Sequence, residues 1–127
     1  MADETIKILL IEDNLDYAQL IKRILTKKSP DSMNVEHHDT FAGGFGRAQK
    51  GELDLILLDL DLPDSGNIDT LQAIKEATEV PIIVLTGTDD ENLALRAVQM
   101  GAQDYLMKGQ VDARLLVRSI RYAIERK

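Results

Sequence analysis

The chain has 127 residues, of which 44% are hydrophobic and 29% charged, so a single domain over residues 1–127 with a real core is expected. A net charge of −7 weighs against direct nucleic-acid binding, and the absence of cysteine excludes disulfides and thiolate chemistry. No apolar run approaches the roughly 18 residues that span a bilayer, and the opening MADETIK has no signal pattern, so no membrane insertion and a cytoplasmic place are expected.

Ile6–Ile11 (IKILLI) is an apolar run of strand length, ending in Glu12-Asp13-Asn14. Leu15, Ala18, Ile21, Ile24 and Leu25 then recur at helical spacing, with Asp13 or Asn14 as the cap. Ser29-Pro30-Asp31-Ser32 breaks the chain. Val35–Asp39 is a short polar strand, expected at a sheet edge. Phe41–Lys50 is a helix with Phe41, Phe45 and Ala48 inward. Gly43, Gly44 and Gly46 weaken it, and Gly51 stops it.

The stretch Leu53–Asn67 (LDLILLDLDLPDSGN) dominates the chain. Asp54–Asp59 is a strand whose four consecutive apolar residues, Leu55 to Leu58, fit burial on both faces. It closes on Asp59, followed by Asp61, Pro63, Asp64 and Gly66. Ile68–Thr78 is a helix with Leu71, Ile74 and Ala77 inward, and Pro81 opens the strand Ile82–Leu85, which leads into Thr86-Gly87. Asp89 or Asp90 caps a helix through Met100, with Leu93, Ala97 and Val98 inward and Gly101 as its stop. Asp104–Met107 is a fifth strand before Lys108-Gly109. Asp112 caps the last helix, whose inner face is Leu115, Leu116, Ile120, Ala123 and Ile124.

Five strands alternating with five helices predict a doubly wound α/β fold around a parallel sheet. In such a sheet the strands' carboxyl ends share one edge, where ligands bind. That edge receives Glu12 and Asp13, then Asp59, Thr86 and Lys108. Three carboxylates in one crevice repel unless a cation sits among them, and oxygen-only donors suit Mg²⁺. With a lysine, a hydroxyl and an exposed aspartate, these are the parts for phosphoryl transfer to a carboxylate. Asp59 is the nucleophile, Lys108 offsets phosphoryl charge and Thr86 donates to a phosphoryl oxygen. Gly87 leaves room for that group to approach the backbone.

Glu12-Asp13, Asp59 in DLDLP, Thr86 in VLTG, and Tyr105 and Lys108 in DYLMKG follow in an order that resembles the receiver domain of the two-component response regulator family. The resemblance covers essentially the whole chain. It implies a flavodoxin-like sheet of order 2-1-3-4-5 and a switch phosphorylated on Asp59 by a sensor histidine kinase or phosphotransfer protein. It implies Mg²⁺ held by Glu12, Asp13, Asp59 and the Asp61 backbone carbonyl, and a switch pair, Thr86 and Tyr105. Output would leave through the fourth helix, fifth strand and fifth helix to a downstream effector, with a phosphorylation-dependent dimer as another outcome. The chain would catalyse only its own phosphoryl transfer and dephosphorylation and is otherwise not an enzyme. It ends with its last helix, which reads as a receiver without an attached effector.

The sequence departs from the family's usual pattern by placing Gly109 where proline commonly follows the lysine through a cis bond, which leaves the shape of that loop open. Asp61 and Thr88 flank the site at positions that tend to tune phosphoryl lifetime in the family. Two other classes stay open. One is a phosphatase, because DLDLP imitates the Asp-x-Asp signature of the haloacid dehalogenase family, although there it normally follows the first strand. The other is an interaction module that has lost phosphorylation. His37-His38 does not read as a metal pair, since strand neighbours point to opposite faces. Arg114, Arg118 and Arg121 form one exposed stripe, either simply solvated or a docking surface.

Overall fold

The computed structural model describes residues 5–27, 32–64, 67–87 and 91–126. The Ser29–Asp31 part of the predicted break, Gly66, Thr88 and the Asp89 or Asp90 cap lie outside the described residues.

Five strands are present: β1 (Ile6–Ile11), β2 (Met33–His38), β3 (Leu55–Asp59), β4 (Ile82–Thr86) and β5 (Asp104–Met107). They alternate with α1 (Leu15–Lys27), α2 (Phe41–Gln49), α3 (Asn67–Ala77), α4 (Glu91–Gln99) and α5 (Ala113–Glu125). The sheet order is β2-β1-β3-β4-β5, and every pairing is parallel, as expected.

The unbroken apolar runs of β1 and β3 follow from a sheet covered on both faces. Ile8, Leu10, Leu55 and Leu57 face one core layer, with Ile21 and Leu25 of α1 and Leu116 and Ile120 of α5. Leu9, Ile11, Ile56 and Leu58 face the other, with Ala48 of α2, Leu71 and Ile74 of α3, and Leu93 and Ala97 of α4. A side chain of this size contributes about 1.5–3 kcal/mol when fully buried. These two internal strands therefore supply much of the driving force, and they hold the edge formed by their carboxyl ends in place.

Some boundaries differ from expectation. Strand β2 starts at Met33, two residues before the predicted Val35, because Met33 and Val35 both point into the core. Asp39 lies outside it. Asp54 precedes β3, yet its amide bonds to the Lys7 carbonyl and its Oδ2 accepts from the Lys7 amide at 2.8 Å, so it still fastens the strand's start to β1.

Two residues assigned to inner faces are exposed. Leu15 is 58% exposed, because it opens α1 beyond the end of β1. Val98 is 38% exposed, because the inner face of α4 is Leu93, Ala94 and Ala97, and Val98 falls one step round the helix.

Candidate functional site

The turn after β1 is built by its own polar side chains. Asn14, not Asp13, caps α1: its Oδ1 accepts from the Tyr17 amide at 2.9 Å. Glu12 Oε2 accepts from the Asn14 amide at 3.1 Å. Asp13 is thereby left exposed and turned to the site. His37, at the end of β2, places Nε2 at 2.7 Å from the Glu12 carbonyl, so that nitrogen carries the proton and donates. His38 reaches Glu36 instead, at 2.9 Å, so the two rings engage different partners.

Strand β3 delivers Asp59 to the same edge. Its carboxyl is fully buried, not exposed as expected, because β3 is covered on both faces to its last residue, and Oδ1 accepts from the Asp61 amide at 2.9 Å. Carboxylate oxygens of Glu12, Asp13 and Asp59 lie within 4.8 Å of one another. Strand β5 leads into Lys108, whose ammonium lies 2.7 Å from Glu12 Oε1, 2.9 Å from Glu12 Oε2 and 3.4 Å from Asp59 Oδ2. Glu12 Oε1 and Asp59 Oδ2 are buried and, among the described residues, lack a hydrogen bond of good geometry. The ammonium is their nearest compensation.

The electrostatics follow from this crowding. Burial, a hydrogen bond shared with Asp13 that favours the protonated form, and the charge of Glu12 push the Asp59 carboxyl up to about 7, against the pull of the Asp61 amide and Lys108. Lys108 is held above the ordinary lysine value, because its carboxylate partners outweigh its burial. Buried carboxylate oxygens in want of positive charge, with neither sulfur nor imidazole among the donors, fit a hard divalent cation.

Thr86 is fully buried at the end of β4. Tyr105 is half-buried and lies opposite Val84, two residues before Thr86, so Tyr105 and Thr86 share a face of the sheet. A cavity of about 330 Å³ opens beside Tyr105, lined also by Glu91, Met107 and Gln110. Asp61, besides donating its amide to Asp59, accepts from the Gly87 amide through Oδ2 at 3.2 Å. After Lys108 the chain makes a short 3₁₀ turn, Lys108–Gln110, and no cis peptide occurs among the described residues.

The fold thus brings together Glu12, Asp13, Asp59 and Lys108, and sets Asp61 and Gly87 beside them. Three contributors were not picked out from the sequence. His37 carries no motif that marks its bond to the Glu12 carbonyl. Tyr17 sits between the predicted inward positions of α1. Asp64 reaches back to accept from the Phe41 and Ala42 amides at 2.9 and 3.2 Å. For Asp64 there was a signal, since a carboxylate in a turn is a common partner for a helix N-terminus.

The chain matches the response regulator receiver domain over residues 8–121. It is 36% identical over 121 residues to the KDP operon transcriptional regulatory protein KdpE of Escherichia coli, covering 91% of this chain and 52% of that protein. It is 35% identical over 103 residues to the cell cycle transcriptional regulator CtrA of Caulobacter vibrioides, covering 80% and 43%. A crystal structure of a response regulator receiver domain protein from Clostridium thermocellum superposes with a TM-score of 0.85 at 31% identity, covering 95% of each chain. The chain spans about half the length of the curated relatives it matches. Relatives named as transcriptional regulators lend no support to the expectation that nucleic acid is not a partner. The third-strand position of the Asp59 motif and the match along nearly the whole fold lead to one assignment: this chain belongs to the response regulator receiver domain family of two-component signalling.

Proposed function

We propose that this receiver is a phosphorylation switch with Asp59 as acceptor, fed by a phosphohistidine on a sensor kinase or phosphotransfer protein. The observation that carries the reading is the fully buried Asp59 carboxyl with two further carboxylates and one ammonium gathered at its oxygens.

An Asp59 oxygen forms the new O–P bond as the P–N bond of the donor breaks, and the bonding pair leaves with the imidazole nitrogen. Glu12, Asp13, Asp59 and the Asp61 carbonyl would hold Mg²⁺, which when bound supplies positive charge to the phosphoryl oxygens. The Asp61 amide aims Asp59 Oδ1. Lys108 balances charge on the side of Asp59 Oδ2. Thr86 donates to a phosphoryl oxygen, and Tyr105, on the same sheet face with a cavity beside it, has space to change position when Thr86 does. The signal leaves through α4, β5 and α5 to an effector or a second protomer. The chain catalyses no reaction besides its own phosphoryl transfer and release.

The test is phosphate incorporation from an acyl phosphate donor in Mg²⁺. Asp59→Asn is expected to abolish it, since an amide is not a nucleophile. Incorporation at the wild-type rate in that variant would move the acceptor elsewhere.

A further inference from the structure

The Lys108 ammonium has, besides Glu12 and Asp59, a third neighbour that is not a carboxylate. It lies 5.1 Å from the centroid of the Tyr17 ring, within the roughly 6 Å over which a ring face attracts a cation. Glu12 and Asp59 contact the ammonium through oxygens, so acids and ring together leave the lysine side chain only 19% exposed. We infer that Tyr17 is a positioning residue for Lys108, its ring holding the ammonium against Glu12 and Asp59.

Three observations support this assignment. The Tyr17 hydroxyl is buried and has no hydrogen-bond partner among the described residues, so the ring rather than the hydroxyl makes the contact. Glu12 and Asp59 also raise the tyrosine's pKa, after burial itself, to about 12, which keeps the phenol neutral beside the acids. Tyr17 is fixed in turn by its amide's bond to Asn14, so the α1 cap, the ring and the lysine form one connected support.

This rests on the proposed role of Lys108, but its test reads the lysine directly. In an NMR spectrum of the unphosphorylated protein, the Lys108 Hε signals are expected upfield of ordinary lysine values, from the ring current of Tyr17. Tyr17→Phe should keep that shift, and Tyr17→Leu and Tyr17→Met should lose it. With an acyl phosphate donor, Tyr17→Phe should phosphorylate within about twofold of wild type, whereas the two ringless variants slow by roughly two- to thirtyfold. Ordinary Hε positions in the wild type would overturn the assignment without touching the role of Asp59. So would a Phe variant that slows as much as Leu and Met, because the hydroxyl would then be the working group.

Discussion

At the scale of single residues, the site lacks positive charge, and pH should expose this. Burial and then the neighbouring acids raise Asp59 to about 7, from an ordinary value of 3.8. The folded state therefore binds this proton more tightly than the unfolded chain does. The resulting stabilisation is fully present below pH 3.8 and is lost as pH rises through about 7. In chelator, the melting temperature is expected to fall between pH 5 and 8. Asp59→Asn should flatten that slope, because the amide has no charge to bury. Adding Mg²⁺ at pH 8 should restore part of the loss by compensating the carboxylates. A slope that survives in Asp59→Asn would assign the titration to another group.

At the scale of elements, α2 shows what a composition rule misses. Its glycines look like pure helix weakeners, each costing about 1 kcal/mol against alanine. The structure separates them. A side-chain carbon at Gly44 would fall 2.6 Å from Ile11 Cγ1, so glycine there lets α2 lie close on β1. At Gly46 such a carbon would meet nothing within 4 Å. Gly44→Ala is expected to destabilise by about 1–3 kcal/mol through overpacking. Gly46→Ala should stabilise by roughly 0.5–1 kcal/mol. Denaturant unfolding of the two variants would check both signs. The same contrast explains what was legible beforehand. Strands β1, β3 and β4 could be read because both faces are covered, so their apolar runs are unbroken. Glu12, Asp13, Asp59 and Lys108 could be read because parallel strands bring their ends to one edge. Spacing along a helix, however, cannot reveal what lies opposite. Leu15 therefore passed for a core residue, while Tyr17 and the close approach at Gly44 depend on partners far away in the chain.

At the scale of the whole molecule, an acidic protein carries a local basic face. The net charge is −7, yet exposed Arg114, Arg118 and Arg121 on α5 line a groove of about 600 Å³ beside Val117 and exposed Tyr122. Arginine and tyrosine next to an apolar floor are the residue types that anchor interfaces. Arg114→Glu together with Arg118→Glu is expected to weaken partner binding or self-association of the phosphorylated protein by roughly tenfold at low salt. The gap should narrow as salt rises, while phosphorylation of Asp59 stays unchanged. Sedimentation of both forms across salt concentrations measures this. Equal association at every salt concentration would place the docking surface elsewhere.

The two ties of the acceptor loop are unequal in strength. On one side Asp64 grips two amides at the start of α2, at 2.9 and 3.2 Å. On the other, Asp61 Oδ2 holds the Gly87 amide through one exposed bond of 3.2 Å. Mechanically the loop is a lever clamped at the α2 end and latched at the β4 end. On the proposed reading, a phosphoryl group on Asp59 would bring negative charge next to Asp61 and load the latch before the clamp. The tie at Gly87 is therefore the one expected to yield first.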